Sequence, residues 1–366
     1  MKILIYKIIK FLSSRYRAGI GACVLDFIKA NTKKEDCEGK ALNKKMREFY
    51  QSYRPTLRWY HTIWFMAEIC FLLPTMGSVT TQFKDLVGLA DYPADEIDEI
   101  ENDVEGKRDT LEIWKIAYRF VIQGQLSDAL KMIEYAVYEE GNEEAIEFLE
   151  DLNLIFKSFP TVPLTKTVQG AFVKERRNWL NKVEYAINKF DSSSSGILDV
   201  LKILRGDEQL INLHSKHWYE IIVANMLFIN TSIYLSDLPS CAESAWEIKP
   251  PKEDLEYHKM LYLVITEKLS DFINISLNKN PAKNNLSLPF VESWILAHLC
   301  DLLHHSARIE DDDDIQFIST SERDNLLILY ANDLVTSQNL WQFSLHYASH
   351  VSKSHKPSPT ELMKKV

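Results

Sequence analysis

DTLEIWKIAYRFVIQGQLSDALKMIEYAVY, residues 109–138, holds two apolar stripes of helical period separated by a single turn. Leu111, Trp114, Ala117, Tyr118 and Val121 recur at spacings of three and four, which places them on one face of a helix. Gln123-Gly124 interrupts, and Leu126, Ala129, Leu130, Ile133 and Val137 resume the same period. Such a pattern makes an αα-hairpin. Trp114 anchors its first helix, and Gly124 is expected to end that helix in the left-handed conformation that glycine adopts without steric cost.

The same period runs outward on both sides. Glu143 to Phe156 reads as a helix closed by Pro160 and Pro163, and Asn178 to Phe190 as another, before Ser192 to Ser195 and Gly196 form a loop. Ile197 to Leu204 makes a short helix stopped by Gly206-Asp207, and Trp218 to Phe228 a buried one through Trp218, Ile221, Ile222 and Asn225. Pro239, Pro250-Pro251, Pro281 and Pro289 separate three further segments, of which Leu255 to Phe272 spans about five turns. Asp324 to Leu334 and Leu340 to Ala348 are amphipathic again. Toward the N terminus, residues 31–48 form a charged linker and Trp59 to Leu73 a core helix ended by Pro74. Leu4, Ile5, Ile8, Ile9 and Leu12 share a stripe expected to be buried against that core helix. About fourteen helices result, with no strand pattern of any length. Without a repeat of fixed length, the prediction is an all-α, irregular helical solenoid. It comprises one continuous stack over residues 1–352 and a polar, frayed end at 353–366.

Composition agrees with that class. The 366 residues carry 42 Lys+Arg against 52 Asp+Glu, and 46% are apolar, ample for a large core. Gly and Pro together are 11 plus 12, roughly half their usual combined share, which disfavours turn-rich sandwiches, barrels and propellers. A net charge of −10 without a Lys/Arg stripe argues against direct nucleic-acid binding. Five scattered cysteines without a C-x-x-C pair are those of a reduced protein. The apolar run from Trp59 to Leu73 is too short for a membrane span and contains His61 and Glu68, so membrane insertion is not expected.

Two clusters could carry chemistry. His214 and His217, at i and i+3 on one helix face, could hold a divalent metal together with Asp207. Cys300, Asp301, His304 and His305 lie within six residues, a spacing open to zinc or to a Cys–His nucleophile pair. Packing explains both more simply: Trp218-Tyr219 follows the first pair, and Trp294, Ile295, Leu299, Leu302 and Leu303 surround the second. Asp311 to Asp314 lacks the alternating ligands, central glycine and closing Glu of a calcium loop. Gly19-Ile20-Gly21 has no third glycine and no preceding strand. No catalytic residue, cofactor or metal is expected.

Five blocks, in order, resemble the nucleoporin-85 family of nuclear pore scaffold proteins. Trp114 with Gln123-Gly124-Gln125-Leu126 and Ala129 is similar to the family's Trp-then-QGxLxxA hairpin, and Leu201-Lys202-Ile203-Leu204 with Gly206-Asp207-Glu208 to its LLKIxxGDE turn. Trp218-Tyr219 with Leu227 resembles a WYxxxxxxLL helix. Ser293-Trp294 with Ala297-His298-Leu299, Asp301, Leu302 and Leu303 resembles the WxxAHLxDLL helix. Leu326, Leu327, Leu329, Tyr330 and Ala331, followed by Leu340-Trp341-Gln342, resemble the LLLxYA and LWQ blocks. Coverage runs from about Trp59 to Tyr347.

The resemblance implies an ancestral-coatomer-type helical stack that turns back at a crown and returns alongside itself. It implies an architectural, non-catalytic role at the nuclear envelope, in pore assembly, mRNA export and protein import. The implied partners are other scaffold nucleoporins of the Y-shaped complex and a small WD-repeat β-propeller nucleoporin. Family members are longer at both ends, with a front β-blade that completes the propeller and a tail that reaches the hub of the Y. Against that pattern the chain reads as a truncated form, from which these two contacts are not expected. The rival classes are a vesicle-coat or tethering subunit, told apart by location, and a helical metallo-hydrolase, told apart by bound metal.

Overall fold

The computed structural model describes residues 10–20, 22, 56–72, 78–90, 110–161, 169–190, 195–277, 289–307, 318–336 and 340–352. Among the described residues every regular element is helical and no strand occurs. In chain order the helices are α1 (10–20), α2 (56–67), α3 (Thr80–Ala90), α4 (Thr110–Ile122), α5 (Leu126–Glu140), α6 (Glu143–Lys157), α7 (Gln169–Lys189) and α8 (Ser195–Arg205). There follow α9 (Glu208–His214), α10 (Trp218–Ala224), α11 (Leu238–Ile248), α12 (Leu255–Ile265), α13 (Leu269–Leu277), α14 (Pro289–Ala307), α15 (Thr320–Thr336) and α16 (Trp341–Ser349).

The chain divides into two compact units, residues 74–258 and the pair of segments 1–73 and 259–366. In the first, each of α4 to α9 packs on the next, and α10 packs on α3, α4 and α11. This is the neighbour-on-neighbour burial of a helical solenoid. In the second, α14, α15 and α16 pack in series, and the π turn at Glu68–Leu72, which continues α2, packs on α14. Residues near the two chain ends thus share one core: Trp64 stacks on Trp294 with ring centroids 6.4 Å apart, and Tyr16 lies 5.0 Å from the His298 ring.

Junctions are closed by local chemistry. At the α4–α5 turn, Gly124 has φ 73°, its N–H donates to Val121 O at 2.9 Å and the next N–H, of Gln125, donates to Phe120 O at 2.8 Å. These two bonds are the Schellman closure that a left-handed residue permits. Gly206 repeats it with φ 98°, and Asp207 follows at once as the N-cap of α9, accepting from the N–H groups of Gln209 and Leu210 at 3.1 Å each. Asn142 caps α6 through Ala145 N–H. Ser319 and Glu322 form a reciprocal capping box at α15, with Ser319 N–H donating to Glu322 Oε2 at 2.9 Å and Glu322 N–H to Ser319 Oγ at 3.1 Å.

Several boundaries differ from the sequence expectation. The helix expected over Leu255 to Phe272 is two helices, α12 and α13, because Glu267 takes φ 60° and Lys268 N–H donates back to Leu263 O. Gly196 lies inside the first turn of α8 rather than in a loop. Pro239 opens α11, where its missing N–H costs nothing. The Trp59 to Leu73 and Trp218 to Phe228 helices each end in a π turn, Glu68–Leu72 and Asn225–Ile229. Leu12 is 40% exposed, and α1 meets α2 through Ser13 and Arg17 instead. Residues 1–9, 31–48, 192–194, Asp311 to Asp314 and 353–366 lie outside the described residues. No described helix is long and apolar enough to cross a membrane.

Candidate functional sites

The signature residues sit where helices join. Trp114 is buried on α4, and its indole Nε1–H donates to Glu140 Oε1 at 2.6 Å, tying the start of the hairpin to its end. Its ring lies against the backbone of α8: a Cβ on Gly196 would come within 2.4 Å of Trp114 Cε2. Gln123 Nε2 donates to Glu220 Oε1 at 2.7 Å, and the Arg119 guanidinium reaches the same oxygen at 3.3 Å. The other Glu220 oxygen accepts from the backbone N–H groups of Lys216 and His217. All three side chains are buried. The end of α4 and the start of α10 are therefore welded by a desolvated ion pair whose remaining lone pairs are occupied, the condition under which such a pair is tolerated. Gly124 completes this junction, since a Cβ there would meet Leu227 Cδ1 at 2.6 Å. Leu126 and Ala129 open α5, with Ala129 wholly buried.

Trp218 is wholly buried; its Nε1–H donates to His258 Nδ1 at 3.2 Å, and Trp246 packs on it edge to face. His214 and His217 do not share a helix face. Asp207 sets the start of α9, which ends at His214; Ser215 is extended, and His217 caps the separate helix α10. The His214 ring packs 4.2 Å from Tyr118, and burial holds it below the ordinary histidine range. Gly206, besides ending α8, lets the chain pass the Phe228 carbonyl, which a Cβ would meet at 3.0 Å. That carbonyl and the one of Leu227 each accept from the Arg176 guanidinium at 2.7 Å.

In the second unit, Trp294, His298 and Asp301 lie along α14. His298 Nδ1 is 2.7 Å from Trp294 O and its Nε2 2.9 Å from the Tyr347 hydroxyl, so a neutral ring donates to the carbonyl and accepts from the phenol. Burial lowers its proton affinity. Asp301 accepts from Arg323 Nε at 2.6 Å, and Arg323 also pairs with the fully buried Asp324, which receives Ser352 N–H at 3.1 Å. Cys300 is buried, with its thiol pushed up by desolvation, and His304 Nδ1 bonds Ile318 O at 2.9 Å. His305 and Asp301 both keep partly exposed side chains. Trp341 differs from the other signature tryptophans, being 38% exposed at the start of α16, with Phe343 56% exposed beside it. Among the described residues, no three His, Cys, Asp or Glu side chains are gathered to hold a metal ion.

Sequence reasoning missed Glu220, Arg119, Gly196 and Arg176. A signal existed for Arg119: with Gln123 it stands at i and i+4 on an otherwise apolar helix end, a polar pair that a buried face accepts only with a partner.

A family model described as Nup85 Nucleoporin matches residues 6–366. Nuclear pore complex protein Nup85 of Danio rerio is 25% identical over 300 residues, 79% of this chain and 44% of the relative. The Bos taurus protein of that name is 22% identical over 350 residues, 93% of this chain and 50% of its own length. The Homo sapiens protein is 23% identical over 350 residues, 92% and 49%. The chain spans about half the length of the curated relatives it matches. With the hairpin, the Gly-Asp junction and the tryptophan helices all built as described, the chain belongs to the Nup85 nucleoporin family.

Proposed function

We propose that this chain is a non-catalytic scaffold component of the nuclear pore complex at the nuclear envelope. It holds neighbouring scaffold nucleoporins of the Y-shaped assembly and so supports mRNA export and protein import. The observation that carries this is the family match over residues 6–366. The use made of the signature residues supports it: Gln123, Trp218 and His298 are spent on helix-to-helix bonds. A protein that transmits load or sets spacing needs rigid junctions of this kind rather than a reactive cleft. The test is imaging of the fluorescently tagged chain in cells, with affinity capture under native conditions. A punctate nuclear rim with scaffold nucleoporins recovered in stoichiometric amounts is the expected result. Location on endomembranes with coat subunits recovered would replace this reading with the vesicle-coat one.

A further inference from the structure

Helix α1 has an inner and an outer side. The inner side is fixed: Ser13 Oγ donates to Glu68 and accepts from the Trp64 indole, Arg17 pairs with Glu68 at 2.6 Å, Tyr16 packs on Trp64 and Trp294, and Ile20 is buried. The outer side carries Phe11, 58% exposed, and Leu12, 40% exposed, with Lys10, Ser14 and Arg15 exposed around them. The Arg15 guanidinium lies 5.3 Å from the Phe11 ring centroid, so cation and apolar surface are contiguous. The sequence before α1 extends both features. Leu4 and Ile8 precede Leu12 by eight and four residues, the spacing of one helical side, and Lys2 and Lys7 add to Lys10, Arg15 and Arg17. These five cations stand without one acidic residue before Asp26, in a chain whose net charge is −10. An apolar stripe bordered by Lys and Arg is the composition of a helix that lies in a membrane interface, with its apolar side at the acyl boundary and its cations at the headgroups. An anionic lipid surface supplies both complements at once, apolar depth for Phe11 and Leu12 and negative charge for the basic residues. The acidic remainder of the chain opposes attachment weakly, because exposed charges more than about 8 Å apart are screened at physiological salt. Glu68, the carboxylate against α1, is buried and paired with Arg17.

We propose that the outer side of α1 is a membrane-contact surface, which lays the chain on an anionic lipid bilayer through Phe11 and Leu12 with Lys10 and Arg15 at the headgroups. The attachment is peripheral, since no described helix is long and apolar enough to cross a membrane. The inner side stays docked on Trp64 and Trp294 throughout, so the bilayer orients the unit made of residues 1–73 and 259–366 rather than a loose tail.

Co-sedimentation of the full chain with vesicles tests the surface. Phosphatidylcholine vesicles containing about 30% phosphatidylserine should retain about tenfold more protein than phosphatidylcholine alone, and about 0.5 M NaCl should remove most of that excess. The double variants Phe11→Ser/Leu12→Ser and Lys10→Gln/Arg15→Gln should each lose about fivefold in retention while keeping the wild-type thermal midpoint, because all four side chains are exposed. Absence of retention, equal retention on both vesicle types, or wild-type retention by either variant would overturn the proposal. So would a dimer in sedimentation velocity that Phe11→Ser/Leu12→Ser abolishes, since a second copy would then cover this side. Hydrogen exchange of the wild-type chain gives a readout that needs no variant. Adding the anionic vesicles should slow exchange in residues 10–20, and slowing confined to other helices would overturn the assignment.

Discussion

A methyl group on Gly196 would lie 2.4 Å from Trp114 Cε2, so Gly196→Ala sets two effects against each other. Alanine is the better helix former by about 1 kcal/mol, whereas forcing a group into a filled site costs about 1–3 kcal/mol. The indole cannot retreat freely, because its Nε1–H is fixed on Glu140. We expect a net loss of about 1–2 kcal/mol in urea unfolding; a stabilised variant would show that the indole shifts at no cost. The histidines make a second prediction at this scale. Burial first, and the nearby Arg17 second, lower His61 from 6.5 to about 4, and burial lowers His214 and His298 as well. A histidine whose folded value is depressed binds its proton more readily in the unfolded chain, so stability is held above the unfolded value near 6.5 and lost as the pH falls toward 4. For His61 the full loss is about 3 kcal/mol. Unfolding midpoints at pH 7 and pH 4.5 should differ less in His61→Gln than in wild type; an equal difference would place the proton uptake elsewhere. The burial of Trp114 was legible in the sequence from its spacing. Its dependence on Gly196 was not, because periodicity reports which face is buried and never which backbone lies opposite.

Helix ends show the same contrast one level up. The α4–α5 and α8–α9 junctions were legible because the left-handed positions carry glycine, at Gly124 and Gly206. The α12–α13 junction was not, because the left-handed residue is Glu267, φ 60°, inside a run that reads as unbroken helix. A side chain in that conformation costs about 1–2 kcal/mol, partly offset in glycine by its larger unfolded-state entropy. Glu267→Gly should therefore stabilise the protein by up to about 1 kcal/mol, seen as a higher thermal midpoint. A destabilised variant would mean that the Glu267 side chain contributes more than its backbone strain removes. The π turns at Glu68–Leu72 and Asn225–Ile229 were equally hidden. The second has a visible physical role, since it ends with the Leu227 and Phe228 carbonyls accepting from Arg176. Arg176 and Glu220, by contrast, look solvent-facing in a one-dimensional pattern and are instead buried, Arg176 on the Leu227 and Phe228 carbonyls and Glu220 on Arg119 and the Lys216 N–H.

For the molecule as a whole, a helical array held only by neighbour-to-neighbour burial would confine the effect of a truncation to the helices next to the cut. The unit made of residues 1–73 and 259–366 behaves differently, because its core joins segments that are remote in sequence. Trp64 stacks on Trp294, Tyr16 packs on Trp294 and His298, and the π turn after α2 packs on α14. Around that seam, Trp64 Nε1–H donates to Ser13 Oγ at 3.0 Å, Ser13 donates to Glu68 at 2.6 Å, and Arg17 pairs with Glu68 at 2.6 Å. Burial raises the Glu68 carboxyl despite these partners, so the seam is desolvated. Deleting residues 1–73 would remove α1 and α2 and expose the Trp294 face of α14 to water. The residues of 74–258 make their own core, through α4 to α9 and α10 with α3. Hydrogen exchange should then report lost protection in α14, about two hundred residues from the deletion, with α4 to α10 protected as in the full chain. Protection of α14 unchanged by the deletion would mean that α14, α15 and α16 are stable as a neighbour-packed stack alone, and that the aromatic seam adds nothing to their stability.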